Sequence, residues 1–455
     1  MSQNTTTTPP RRRRRGVAAV LAGVGLAVIA VTALASPSTG QVTPTAGPSH
    51  DYHVAGPGVG RSEPAARIYT VTPSSEPDRI TGPSQMKVFD PRSLDVTTTV
   101  DVPDFRPHHF YPVPGRNIAI QAHFGPTSNI ELFDMVSNTY IGRLSTGLGP
   151  RHVSFDPSST FAYSANFNGN SISVLDLNSR RSVATIPVGE KPNYVQYVKT
   201  ARGPRLFVEN FGGNTITVID ARNLRPVTTV TVGDGPFNAS IAEGGRTLVT
   251  ANARDNTATF VDTATLEVTD TVDLGGVHDP TVGMQRLNPR ISPDGKWLWV
   301  GNQDASVFSI VNIPERRLET MLPAGRGADI AFFPAGGPAR GLALLTNRYD
   351  DFVTVARLNG QQPPTVVKNM TTSALGSHFV TFNEDFSLAY VSQRPGRAFS
   401  VLDMATLTER ANVPVGPGPV TDPAATDPSQ AGPDQAFYVW FDRGRARFHD
   451  EHGCG

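Results

Sequence analysis

The chain carries one cysteine in 455 residues, Cys454, and it is the second-last residue. That excludes an intramolecular disulfide, a haem attached covalently through a CxxCH motif, and a lipid anchor on a cysteine near the N-terminus. Stability must therefore come from packing. Charge is sparse as well. Charged residues make up 18% of the chain and cancel formally, 40 basic against 40 acidic, so there is no electrostatic footprint for nucleic acid. Nucleophile elbow, P-loop, dinucleotide fingerprint and HExxH motifs are all absent, and no two histidines stand at HxH or HxxxH spacing. Helix-favouring runs are scarce. What the chain has instead is 42 glycines and 39 prolines, a composition that suits many short strands joined by turns.

The N-terminus reads as a targeting segment. Arg11 to Arg15 form a basic region, Val17 to Leu34 an apolar run, and Ala33-Leu34-Ala35 a small-residue cleavage site. Residues 1–35 are expected to be a secretory signal cleaved after Ala35, or an N-terminal membrane anchor if uncleaved. Their removal takes away five arginines and no acid, leaving 35 basic and 40 acidic residues, a formal −5. The protein is expected in the secreted or cell-envelope fraction. Residues 36–66, rich in Pro, Gly, Ser and Thr, read as a flexible linker.

From Arg67 a repeat takes over. Asn166-Phe-Asn-Gly-Asn-Ser-Ile-Ser-Val-Leu-Asp176 returns as Asn210-Phe-Gly-Gly-Asn-Thr-Ile-Thr-Val-Ile-Asp220 and as Asn252-Ala-Arg-Asp-Asn-Thr-Ala-Thr-Phe-Val-Asp262. A polar turn followed by period-two alternation is a hairpin signal, since the turn needs positive φ and the strand needs one buried face. Counting the residue that ends this strand gives Asp90, Asp134, Asp176, Asp220, Asp262, Asn312, Arg357 and Asp403, at intervals of 42 to 50 residues. Each unit holds four short strands, and several units end in Val-Gly, as at Val188-Gly189 and Val232-Gly233. Four antiparallel strands per repeat is the sheet of a propeller blade.

The first unit lacks an opening strand, while Ala436-Phe-Tyr-Val-Trp-Phe441 is a strand without partners. Joining the two closes the ring and removes the exposed edges. The fold class is thus all-β: a single closed β-propeller over residues 67–442, eight blades by repeat count with seven as the alternative. Residues 443–455 read as a polar, solvated tail, although His449, His452 and Cys454 cluster there.

The repeat resembles the bacterial YVTN β-propeller repeat. Ser292-Pro-Asp-Gly295, the asparagines Asn166, Asn210, Asn252, Asn302 and Asn347, and the endings at Asp176 and Asp220 carry that resemblance. Proteins of this kind include cell-surface proteins, periplasmic binding proteins and relatives of redox-enzyme propellers, some of which hold metal or haem on channel-mouth histidines. Lactonase-type propeller hydrolases resemble the repeat too, but the clustered carboxylates that would hold their metal are not evident.

In a propeller the first strand of each blade lines the channel, so the starts of those strands are where a ligand would be met. They supply His108, His109, His152, Asn193, Asn238, Arg290, Asp329 and His378 as candidate ligand-binding residues. Imidazole is the commonest neutral metal ligand, which makes His108, His109, His152 and His378 the candidate metal or haem ligands. Polar groups at these positions also serve ordinary hydrogen bonding to channel water and loops. The end-of-strand aspartates recur one per blade and read as turn caps. The expected function is a monomeric binding or interaction module for an unidentified small molecule, peptide or surface partner; the alternative is an oxidoreductase or metal-dependent enzyme built on the histidines. Three or more imidazoles meeting at one point would favour the alternative.

Overall fold

The computed structural model describes residues 66–73, 84–103, 107–123, 125–276, 286–416 and 435–449. The leader, the linker up to residue 65, His452, Cys454, Arg106, His278, Asp279 and Asp434 lie outside the described residues, and Ala66, expected as the last residue of the linker, opens a strand. Among those described, the only helical element is a 3-10 turn at Glu243–Gly245, and no helix is long and apolar enough to cross a membrane.

The strands form eight sheets, seven of four strands and one of five. Each sheet runs outward from a first strand at the axis, and the first strands of neighbouring blades touch in order around a closed ring. For blades 2 to 8 these first strands are Pro107–Pro112, Pro150–Phe155, Pro192–Thr200, Pro236–Ala242, Pro289–Ile291, Ala328–Phe332 and Ser377–Phe382. In blade 1 the first strand is Ala436–Asp442, which pairs antiparallel with Ala66–Pro73. The C-terminal strand closes the first blade, and the eight-blade reading holds.

The repeat has a local physical cause. In blade 3 Asn166 ends the second strand, and its Nδ2 donates to Ser171 Oγ and Ser173 Oγ of the third, both at 3.0 Å. Asn210 treats Thr215 and Thr217 alike, at 3.1 and 2.8 Å, and Asn252 treats Thr257 and Thr259 alike, at 2.9 and 2.8 Å. Between these partners the chain turns through Asn170, Asn214 and Asn256, whose φ values of 48°, 51° and 56° explain the asparagines there. The recurring aspartates are caps: Asp176 accepts from the backbone N–H of Asn178 and Ser179, and Asp403 from those of Ala405 and Thr406.

Apolar side chains of facing blades fill the space between sheets. Trp297 and Trp299, two apart on one strand, are both buried in such a layer. Past Asp442 the chain adds a strand, Arg445–Arg447, that pairs back onto Trp440–Asp442. Asn117 of blade 2 bonds this hairpin on both sides, and His449 stacks on Phe386 of blade 8 at 4.0 Å between ring centroids. Because the closing strand begins at the mouth lined by the first-strand starts, this hairpin lies at the channel's other end.

Candidate functional site

The starts of the first strands meet at one end of the channel. They line a cavity that is open to solvent. Three features divide its wall.

The first is an imidazole cluster on blades 2 and 3. His108, His109 and His152 each bring a ring nitrogen within 4.8 Å of the other two. Their rings lie 4.1, 4.6 and 5.1 Å apart between centroids. The hydrogen bonds of the Nδ1 atoms define the chemistry. His108 Nδ1 is 3.2 Å from the carbonyl of Arg151, which can only accept, so this nitrogen carries the proton and Nε2 the lone pair. His109 Nδ1 faces Gln435 at 3.2 Å. Gln435 Oε1 accepts the Phe110 backbone N–H at 2.7 Å, so the amide presents its NH₂ to the imidazole, and the neutral His109 keeps its proton on Nε2. His152 Nδ1 shares a hydrogen bond of 3.1 Å with the Tyr111 hydroxyl.

The second is a relay of amides that ends on a buried carboxylate. Asn193 of blade 4 donates to Asn238 of blade 5 at 3.0 Å, Asn238 donates to Asn288 of blade 6, and Asn288 donates to Asp329 of blade 7 at 2.7 Å. Asp329 also accepts from His378 Nδ1 of blade 8 at 2.7 Å, Arg348 at 3.0 Å and Gln303 at 3.2 Å. Burial alone would raise its pKa, but the Arg348 charge and the His378 hydrogen bond overrule that and hold the carboxyl well below the usual range. Asp329 is therefore an anion that staples blades 6, 7 and 8.

The third is cationic. Arg286 and Arg290 at blade 6, Arg348 at blade 7 and Arg394 at blade 8 line the mouth opposite the imidazoles, with Arg151 on blade 3. The Arg151 guanidinium lies between two aromatic rings, 5.0 Å from that of Phe167 and 5.3 Å from that of Phe237. No carboxylate lines the cavity among the described residues.

All eight residues named from the sequence thus lie at or around this mouth, but they split into two groups. His108, His109 and His152 converge. His378 is drawn to Asp329 and stands apart from that cluster. Asn193, Asn238 and Asp329 belong to the amide relay, where the blade 6 member is Asn288 and not Arg290, which lines the wall instead. The expectation missed Tyr111, Arg348 and Arg394. Two of these had a signal: Arg348 and Arg394 directly follow Asn347 and Gln393, the same position from which Phe167 and Gln303 reach the mouth.

Glu209, in the second strand of blade 4, is fully buried, and among the described residues no other residue donates to either carboxylate oxygen. Burial pushes its pKa well above the carboxylate range. It stands where blades 2, 3 and 5 to 8 have Ala122, Ala165, Ala251, Gly301, Thr346 and Ser392.

Compared with known proteins, residues 127–284, about a third of the chain, match the family described as "Lactonase, 7-bladed beta-propeller". The ring here has eight blades, one more than that description. No curated protein matches the sequence. Among solved structures, dihydro-heme d1 dehydrogenase NirN in complex with DHE is similar with a TM-score of 0.61 at 15% identity, over 77% of this chain and 73% of that one. A putative 6-phosphogluconolactonase from Bacteroides fragilis has a TM-score of 0.49 at 16% identity, over 68% and 95% of the two chains. Kuenenia stuttgartiensis hydrazine synthase has 0.44 at 16% identity, over 66% and 95%. The likeness to NirN is one of fold alone.

Proposed function

We propose that this propeller binds a metal-bearing cofactor at the channel mouth, an iron tetrapyrrole being the class that the residues fit best, and that it serves redox chemistry there. The observation that carries this is the convergence of His108, His109 and His152 on one point of the wall. Scattered rings bonded only to loops would have supported a plain binding module.

The donor set favours one iron ligand over three. His108, with Nδ1–H held by a carbonyl, has the tautomer and the second partner that a ligating imidazole needs. His109, held by Gln435 as an Nε2–H donor, is suited to donating a hydrogen bond to a bound group. A bare ion on all three rings would require the Gln435 amide to reverse and set its NH₂ against the Phe110 N–H. His152 and Tyr111 add a polar edge, and the phenyl rings of Phe237 and Phe379 add apolar wall. When bound, such a cofactor supplies one-electron chemistry; the chain's own groups orient it and exclude bulk water.

The similar fold of dihydro-heme d1 dehydrogenase NirN, solved in complex with DHE, supports this reading. The resemblance to YVTN-repeat proteins, which include relatives of redox propellers, is consistent with it. Export is part of the proposal and rests on the sequence of residues 11–35. The proposal also takes the protein as a monomer whose partner is this cofactor, with no role for nucleic acid.

The test is metal analysis with an absorption spectrum on protein purified from its native host without chelators or a histidine tag. Stoichiometric iron and a Soret band, displaced by His108→Ala, are expected. A colourless, metal-free protein that also fails to take up added iron protoporphyrin would overturn the reading.

A further inference from the structure

The two arcs of the mouth differ in chemistry. Three of the four lining imidazoles occupy blades 2 and 3, while four of the five guanidinium groups occupy blades 6 to 8, across the ring from them. One of these arginines is incompletely used. Arg348 is 3% exposed, and its Nη1 pairs with Asp329 at 3.0 Å. Its Nη2 is buried and has no acceptor among the described residues, and the residue lines the same cavity. A buried guanidinium nitrogen left without an acceptor is costly, and a ligand oxygen is the natural group to meet it. Asp329 cannot do so, because its two oxygens already take Asn288, Gln303, His378 and the other Arg348 nitrogen.

We propose that the occupant of this mouth is a polyacid, held with its carboxylates toward blades 6 to 8 and one of them on Arg348 Nη2. The inference rests on the cofactor reading above and adds its orientation: the imidazole arc would serve the metal and the arginine arc the acid groups. The guanidinium fork suits this task, since its two terminal nitrogens can serve two acceptors at once, one in the protein and one in the ligand. Arg290, half-buried on the wall of the same arc, would meet a second acid group.

The experiment titrates the protein with iron protoporphyrin IX, its dimethyl ester and the metal-free diacid, following absorbance and tryptophan quenching. The diacids are expected to bind at least about tenfold more tightly than the ester, in line with a charge-assisted hydrogen bond. Arg348→Lys keeps a charge for Asp329 but removes the second nitrogen. It should weaken the diacids by a similar factor and leave the ester unchanged. Arg290→Gln repeats the test at the wall in case Arg348→Lys fails to fold.

Equal binding of diacid and ester, indifferent to both substitutions, overturns the polyacid proposal and leaves the imidazole reading in place. Arginine-dependent binding of both diacids, indifferent to His108→Ala, supports the polyacid and overturns the metal ligation. If no porphyrin binds, both fall.

Discussion

Gln435 Nε2 stands 3.2 Å from His109 Nδ1, although the two residues are 326 positions apart. The contact exists only because the C-terminal strand enters the ring as the first strand of blade 1, which sets Gln435 beside the first strand of blade 2. Ring closure and the protonation pattern of the candidate site are thus one structural event.

That relationship can be inverted by one substitution. In Gln435→Glu, one carboxylate oxygen can keep the Phe110 N–H while the other accepts a proton from His109 Nδ1. The His109 proton should then move from Nε2 to Nδ1, or be joined by a second one. Ring ¹⁵N shifts in a histidine-labelled sample would report this directly. An Nε2–H pattern at His109 in both proteins would show that Gln435 does not set the tautomer.

Much of the fold was legible because each blade repeats the same local solution. Asn166 and its equivalents must reach two hydroxyls five and seven residues on, so the spacing Asn-x₄-Ser/Thr-x-Ser/Thr is imprinted on the chain. The missing first strand and the unpartnered Ala436–Phe441 segment disclosed closure for a similar reason, since each makes sense only with the other. The site was harder to read. First-strand polarity located the mouth, but polarity has no direction: it did not separate His378, drawn to Asp329, from the three rings that meet. Nor did it distinguish Asn288 from Arg290, because the irregular approach to blade 6 hides the register. Arg348 and Arg394 come from turns beyond the second strand, where only the recurring position after the asparagine marks them.

Glu209 yields a prediction in pH. Its folded pKa is raised, so the folded protein holds this proton at pH values where the unfolded chain, with an ordinary value near 4.3, has released it. The folded state then binds more protons than the unfolded state, and stability falls as pH rises above that unfolded value. Glu209→Met keeps the volume and removes the titration. Its gain over the parent should be small at pH 4 and grow toward pH 7.5, on the order of 1–3 kcal/mol. Urea unfolding of both proteins at the two pH values measures it. A difference that stays constant with pH would mean that the carboxyl ionises freely in the fold.

The Val-Gly that ends several fourth strands has its explanation in the next blade. A Cβ built on Gly189 would lie 2.6 Å from Cγ and Nδ2 of Asn210, the residue that locks blade 4's hairpin. Gly147 and Gly233 meet Asn166 and Asn252 in the same way, at 2.6 and 2.5 Å. The glycine is required by a close approach between blades, and no positive φ is involved at these three positions. Gly189→Ala must therefore push a buried amide off two threonine hydroxyls, at a cost of about 1–3 kcal/mol. Asn210→Ala alone should cost a similar amount by leaving those hydroxyls unserved. In the double variant the alanine at 189 has room, so the two losses should sum to more than the measured total, with a coupling of about 0.5–3 kcal/mol. Strict additivity in a denaturant double-mutant cycle would show that Gly189 is needed for some reason other than Asn210.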